Sequence, residues 1–492
     1  MSFAKCPPMS SAPQPAIKRR NGSSHDRTGC LTCRRRRKKC VDNIFPVCGT
    51  CLRLNLQCVR EPARSVVPSS WSRQLHPPSP TPTCLQSPMP ASVPIETPQK
   101  RHCMGYYIAV LTRHLTVSEK FNSFLSAFLP MAMESVVLSD ALLALASGHL
   151  SLVNKAYKVT ALEARSNAIR NLAAAISTPS NMINRHETNA AACLAFVISE
   201  VGTGDCKGWY NHLQGTKNII MSATAYSASG KVLHGPDAFK TSPEGQWVLR
   251  NFAYHDIVGS VTLRKRPLLD GSYLAGITDV VDSYLGVATE LLCFLAKISC
   301  LDEYTKFNEH LPGEEVIRRK ALFHSTCASL EKQLRDWHCH PAASPGLAAV
   351  AYAFRSAVLI VFYRLVRSRL YPVDIGREDL HSKSSLIDIV QSKIHTQVTN
   401  TLSHVADIPI GTTPESALLL PLFLAGGEAR EEGHIDAVRQ RLRMTLEKRQ
   451  FQNVSRALEV LEDLWELRKD QNGIEADWSH ILDTTRGDLL LT

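Results

Sequence analysis

Six cysteines between Cys30 and Cys58 are the residues of this 492-residue chain whose type and spacing could do chemistry together. They read C-x2-C-x6-C, an interval of seven residues, then C-x2-C-x6-C again, so one half-unit occurs twice with the same internal spacing. Each C-x2-C pair sets two sulfurs on one tight turn, and the third cysteine returns to the same point after about two turns of helix, as thiolates converging on a metal ion do. Cys30, Cys33, Cys40, Cys48, Cys51 and Cys58 are therefore candidate metal ligands. A single tetrahedral Zn2+ would use four sulfurs and strand two; two such ions need eight ligands and obtain them from six thiolates if two of these bridge. Two Zn2+ ions are the expected cofactor. Six thiolates against two dications leave a formal charge of −2, which the consecutive cations Arg34, Arg35, Arg36, Arg37, Lys38 and Lys39 help offset while their remaining charge faces outward.

A disulfide knot is the competing reading of an even cysteine set. Three disulfides in so short a window belong to small secreted domains, yet residues 1–17 hold no apolar stretch of the kind a signal peptide needs. The nine other cysteines, from Cys6 to Cys339, are scattered without pattern, as reduced thiols are.

The stretch CLTCRRRRKKCVDNIFPVCGTCLRLNLQC resembles the fungal Zn2Cys6 binuclear-cluster DNA-binding domain, with its basic run between the second and third cysteines and Pro46 in the interval between halves. By that resemblance Cys30 and Cys48 bridge the two ions, and Cys33, Cys40, Cys51 and Cys58 are terminal ligands. The resemblance also implies that the helix after the second cysteine enters the major groove at a CGG triplet. The third and fourth residues after Cys33 are Arg36 and Arg37, the candidates for base edges; arginine pairs bidentately with guanine O6 and N7. Arg34, Lys38, Lys39 and Arg53 are the candidates for phosphates, which position the module without specifying sequence.

The rest of the chain must carry this head. Residues 1–64 hold 14 Lys and Arg against three acids, a net of +11, and residues 65–492 balance at 42 against 42, so the whole excess lies at one end. That asymmetry is the footprint of a nucleic-acid-binding module joined to an ordinary globular body, with double-stranded DNA as the expected partner. Residues 1–27, rich in Ser, Pro and basic residues, read as a disordered basic arm, 28–60 as the DNA-binding domain and 61–102 as a Pro/Ser-rich linker. Ten prolines between Pro62 and Pro98 forbid a coiled coil directly after the cluster. A homodimer, if formed, is expected through the later body.

Residues 103–492 read as an all-α regulatory domain. Phe121, Phe124, Leu125, Phe128 and Leu129 form one helical stripe that Pro130 should close; Ser139-Asp140 should cap the next helix; Leu162, Ile169, Leu172 and Ile176 mark a third apolar face. Helical patterns follow at 186–200, 205–222, 246–260, 288–301, 315–337, 347–371 and 384–406, then as stripes Ile435, Val438, Leu442, Leu446 and Leu458, Leu461, Leu464, Trp465. The phrases GWYNHLQGTKNII, FAYHDIVGSVTLRKRPLL and LLPLFLAGGEA, in that order, resemble the fungal-specific transcription-factor domain that accompanies Zn2Cys6 heads. The resemblance implies regulation through partners or effectors, the transcriptional machinery or co-regulators among them, without catalysis.

No HExxH, GxSxG or GxxxxGK[ST] is present. The sequence WHCHP at 337–341 reads as a loop, and His255-Asp256 as a structural polar pair rather than an acid–base couple. The most apolar stretch, 347–366, is cut by Arg355 and Arg364, so a buried helix is expected and no membrane partner. Two basic clusters imply a nuclear address. The expected function is a sequence-specific, RNA polymerase II type transcription factor controlling a metabolic gene set, such as a specialised-metabolite cluster. The alternative is a zinc-stabilised interaction or small-molecule-sensing regulator without direct sequence readout.

Overall fold

The computed structural model describes residues 30–36, 40, 48, 50–51, 58, 97–178, 182–204, 208–306, 313–370, 380–470 and 476–492. They belong to two separate units, a cysteine-rich head and a helical body. The arm at 1–27 lies outside the described residues, as do linker residues 61–96. In the head a five-residue helix, α1 (Leu31–Arg35), starts directly after Cys30.

The body starts earlier than the sequence pattern suggested. Thr97 caps α2 (Pro98–Tyr106), its Oγ1 accepting from the Lys100 amide at 3.2 Å, and Pro98 fills the first turn, where no amide partner is needed. Helices α3 (Val136–Val153), α4 (Lys158–Ser177), α5 (Ile183–Thr203) and α6 (Trp209–Ser222) follow. α3 packs on α4 and α5, and α5 on α6. A short antiparallel hairpin, β1 (Thr224–Tyr226) with β2 (Val232–His234), pairs Thr224 with His234; it is the one sheet among the described residues.

Nearly every residue of α7 (Pro243–Leu263) is buried, which makes it the axis of the body. Its start is fixed by Ser242, whose Oγ accepts from the Gly245 amide at 2.9 Å. Gly245 is obligatory there, because a Cβ would lie 2.1 Å from the Phe239 carbonyl oxygen. The second half is built from α8 (Leu291–Lys306), α9 (Gly313–Asp336), α10 (Pro345–Leu370), α11 (Leu380–Ala406), α12 (Leu419–Glu428), α13 (Glu432–Arg449), α14 (Gln452–Asp470) and α15 (Trp478–Ile481). α12, buried along its whole length, is enclosed by α10, α11, α13 and α14. α3 and α10 are long and apolar enough to cross a membrane, but both are mostly buried inside the body. Arg355 and Arg364, which interrupt α10, are bonded to the Leu334 and Arg335 carbonyls and to Glu428 and Asp477.

Three local expectations are corrected. Pro130 does not end a helix: it sits in the first turn of Leu129–Glu134, which continues a wider helical turn at Phe124–Phe128. Ser139 and Asp140 lie inside α3; the cap is Ser135, whose extended backbone lets its Oγ accept from the Leu138 amide. The third apolar face is not a core face. Only Leu172 of that set is buried, because α4 meets α3 through alanines, which allow closer approach.

Buried imidazoles set the acid limit of this body. Burial pushes His114 down to about 4 and His255 to about 3, and lowers His149 as well. Each takes up its proton in the unfolded chain near its ordinary 6.5 but not in the folded one, so stability falls as pH drops from there towards the folded values. Asp256, pushed up to about 7 by burial, works in the opposite sense over the same interval, against three histidines. The melting temperature of the helical signal should therefore fall between pH 7 and pH 4.5, and a flat profile there would contradict these buried neutral imidazoles.

Candidate metal centre and nucleic-acid interface

The first cysteine of each half-unit plays the same local part. Cys30 precedes α1, and its Sγ accepts from the Cys33 amide at 3.3 Å; Cys48 precedes the turn at Thr50–Cys51, and its Sγ accepts from the Cys51 amide at 3.4 Å. The spacing of three makes this possible, since a sulfur at the start of a helical turn faces the free amide three residues on. Each sulfur is thereby aimed inward.

The four sulfurs of Cys30, Cys33, Cys40 and Cys48 lie within 4.8 Å of one another, and so do those of Cys30, Cys48, Cys51 and Cys58. Cys30 and Cys48 belong to both sets. Their sulfurs are 3.7 Å apart, Cys30 to Cys51 and Cys33 to Cys48 are also 3.7 Å, and none of the six forms a disulfide. A disulfide needs about 2.05 Å. Sulfurs on one tetrahedral zinc, at Zn–S of about 2.3 Å, stand about 3.8 Å apart. The separations fit sulfurs gathered around metal and do not fit a disulfide knot; Cys33 and Cys51, from different tetrads, also approach to 3.8 Å.

The electrostatics point the same way. Amide donation from Cys51 holds the Cys48 thiol down to about 6. Burial alone would raise Cys30, yet the hydrogen bonds it accepts, from the Cys33 amide first, leave it lowered. Cys33 is pushed up to about 12 and Cys51 further, in both cases by burial. Six sulfurs so close together cannot all ionise unaided, and two dications supply the compensating charge. Were all six sulfurs to hold the two ions, no position would stay open for substrate or water, and the zinc would be structural.

Of the basic run, Arg35 and Arg36 are exposed at the end of α1, with the Arg36 amide donating to the Thr32 carbonyl at 3.3 Å. Arg34 lies within α1. Arg37, Lys38, Lys39 and Arg53 fall outside the described residues. Arg35, a member of the same basic run, is exposed beside Arg36 and is a further candidate for a phosphate.

No catalytic constellation forms among the described residues of the body. His255 bonds Thr492 Oγ1 at 3.0 Å and the Tyr284 hydroxyl at 3.2 Å, while the Asp256 carboxylate accepts from the Leu268 and Leu269 amides at 2.8 and 3.1 Å. They are buried polar groups bonded to other partners, not a couple. His338 is engaged with the Asp336 carbonyl and His340 with the Ala342 amide, in a loop. His395, Glu431 and His434 converge on the surface as an ion-pair cluster, with imidazole-to-carboxylate distances of 3.5 and 3.7 Å.

Comparison with known proteins agrees with the head and extends over the body. Residues 28–65 match the fungal Zn(2)-Cys(6) binuclear cluster domain, a family whose cluster binds two zinc ions. Residues 102–492 match the fungal specific transcription factor domain. The transcriptional activator protein UGA3 of Saccharomyces cerevisiae is 23% identical over 486 residues, covering 82% of this chain and 85% of its own length. No solved structure matches. Cysteine spacing, sulfur geometry and these matches lead to one conclusion: the chain belongs to the fungal Zn2Cys6 transcription factors, a family of DNA-binding regulators rather than of enzymes.

Proposed function

We propose that this protein is a nuclear, sequence-specific regulator of RNA polymerase II transcription that reads CGG-like sites through its head and regulates a metabolic gene set through its helical body. The observation that carries the reading is the pair of cysteine tetrads sharing Cys30 and Cys48, with a helix ending in two arginines between Cys30 and Cys40. In this reading Cys30 and Cys48 bridge two zinc ions, and Cys33, Cys40, Cys51 and Cys58 complete the tetrahedra. Arg36 and Arg37 address base edges. Arg34, Arg35, Lys38, Lys39 and Arg53 address phosphates, so binding should weaken steeply with salt. Activation of transcription, the property named in the UGA3 description, is the direction of control we favour. The Pro-rich linker carries no heptads, which leaves the body to pair two copies.

Chromatin occupancy of the tagged protein beside a Cys33→Ala control tests the reading directly. Discrete peaks over CGG-bearing promoters, lost in the control, support it and identify the regulated genes; peaks that survive the substitution would place recruitment in the body. Arg37→Ala should cost about 1–3 kcal/mol of discrimination between CGG and a mismatched triplet. A uniform weakening across sequences, measured by titration of labelled duplexes, would assign Arg37 to phosphate instead.

A further inference from the structure

Helix α4 hides its small residues and shows its large ones. Ala168 and Leu172 are buried against the body, with Ala161, Ala164 and Ala175 half-buried beside them. On the other side Val159, Leu162, Ile169 and Ile176 are 66%, 60%, 39% and 51% exposed. Scattered apolar residues on a surface need no explanation. These are not scattered: Leu162, Ile169 and Ile176 recur every seventh residue, and Val159, Ser166 and Ala173 recur every seventh residue three positions ahead of them. That is the a/d seam of a helix pair, continued for three heptads along a 20-residue helix about 30 Å long.

We propose that this seam is a homodimer interface, in which α4 pairs antiparallel with α4 of a second copy of the chain. The inference rests on the regulatory reading for its purpose, since it supplies the pairing the linker lacks, but not for its geometry. Self-complementarity identifies the occupant. In antiparallel order Val159 meets Ile176 of the second copy, Leu162 meets Ala173 and Ser166 meets Ile169, and the twofold axis repeats each layer, so the inner layers set a large side chain against a small one. Val153 and Met182, both exposed, flank the two ends of α4, and the same order carries each towards the other's counterpart.

The charges beside the seam choose the direction. Glu163 and Arg170 follow the d positions, on one edge; Lys158 and Arg165 precede the a positions, on the other. Antiparallel helices bring like edges together, so Glu163 faces Arg170 of the second copy twice over. Parallel helices would set Arg165 against Arg170 of the second copy. Within one chain Arg165 is already bonded to Glu200, and among the described residues Arg170 bonds Asn167, three residues back, which leaves its guanidinium for Glu163 of the other copy. Two helices of this length bury less than the roughly 1,600 Å² of a standard interface, so a micromolar dimer is expected.

Sedimentation equilibrium of the full zinc-loaded chain is the test. The wild type should show a concentration-dependent dimer, and Ile169→Glu should stay monomeric to about 100 μM, well above the micromolar range expected for so small an interface. Arg170→Glu turns two attractions into repulsions and should weaken the dimer about tenfold, with Glu163→Arg doing the same and the double exchange restoring it. A unchanged helical melt in each variant confirms that the body is intact, since every substituted side chain is exposed. A monomeric wild type, a dimer that Ile169→Glu leaves intact, or a dimer that Arg170→Glu tightens would each overturn the proposal. Binding of every variant to a duplex with a single CGG is measured alongside: failure there would count against the DNA reading and leave the seam untouched.

Discussion

Cys48→Ser should empty the head of both zinc ions, reducing bound zinc from two per chain to none and abolishing specific DNA binding. The sulfur of Cys48 belongs to both tetrads, so its loss leaves each of them with three sulfurs. Among the described residues of the head little else holds it. Its core is a cluster of cysteines, Cys30, Cys33, Cys48 and Cys51, with Cys40 and Cys58 packed beside them. A domain of this size folds on the free energy of metal binding, about 10–16 kcal/mol for a structural zinc at neutral pH. Substituting a sulfur found in one tetrad, such as Cys58→Ser, should instead release one ion more readily than the other, because Cys30, Cys33, Cys40 and Cys48 remain complete. Metal analysis after gel filtration distinguishes the two patterns. In both variants the thermal unfolding of the helical body should be unchanged, since the body has its own core. Equal zinc loss from the two variants would mean that the sulfurs do not share ions in this way.

The head was legible because its ligands lie on one short stretch and chelation imposes a spacing that nothing else needs. The helices of the body were legible for a related reason: burial on one side of a helix leaves a period of 3.6 in the sequence. Thus α13 and α14 carry their core residues where the pattern put them, with Val438, Leu442, Leu461, Leu464 and Trp465 buried. Periodicity reports that a face is apolar, not what covers it. α4 shows the cost: Leu162, Ile169 and Ile176 carried the strongest signal, and the body takes the alanine side instead. Caps fail for another reason. Ser135 and Ser139 are equally good capping residues in sequence, and only the extended backbone at Ser135 decides between them. The buried carboxylates Glu200, Asp282, Glu415 and Glu428 were invisible, because each finds its arginine far along the chain.

The largest of these hidden contacts carries the second strong expectation. Glu428, at the end of α12, is almost wholly buried and lies between two arginines of α10: Arg364 donates to it, and Arg367 does so at 2.9 and 3.1 Å. Arg364 also donates to Asp477 at 2.7 Å and lies over the Trp478 ring, 4.8 Å from its centre. Burial pushes the Glu428 carboxyl up, but Arg364 and Arg367 outweigh it and hold it below the usual range. For Asp477 burial likewise opposes ionisation, and Arg364 with the Ser479 amide brings it down to about 2. Glu428→Ala would leave Arg367 without a carboxylate and Arg364 with Asp477 alone, and should cost about 3–5 kcal/mol, the penalty for removing one partner of a buried ion pair. Glu428→Gln keeps an acceptor oxygen but not the charge, and should fall between Glu428→Ala and the wild type. The pH dependence has a definite sign. Glu428, held below its ordinary 4.5, lends stability that is complete above that value and is lost as pH falls through the depressed one, so the gap between wild type and Glu428→Ala should narrow in acid as Glu428 protonates. Urea denaturation at pH 7 and pH 3 measures both effects. A loss below about 1 kcal/mol at pH 7 would be that of a surface pair, and would mean that water reaches the junction of α10 and α12 and screens it.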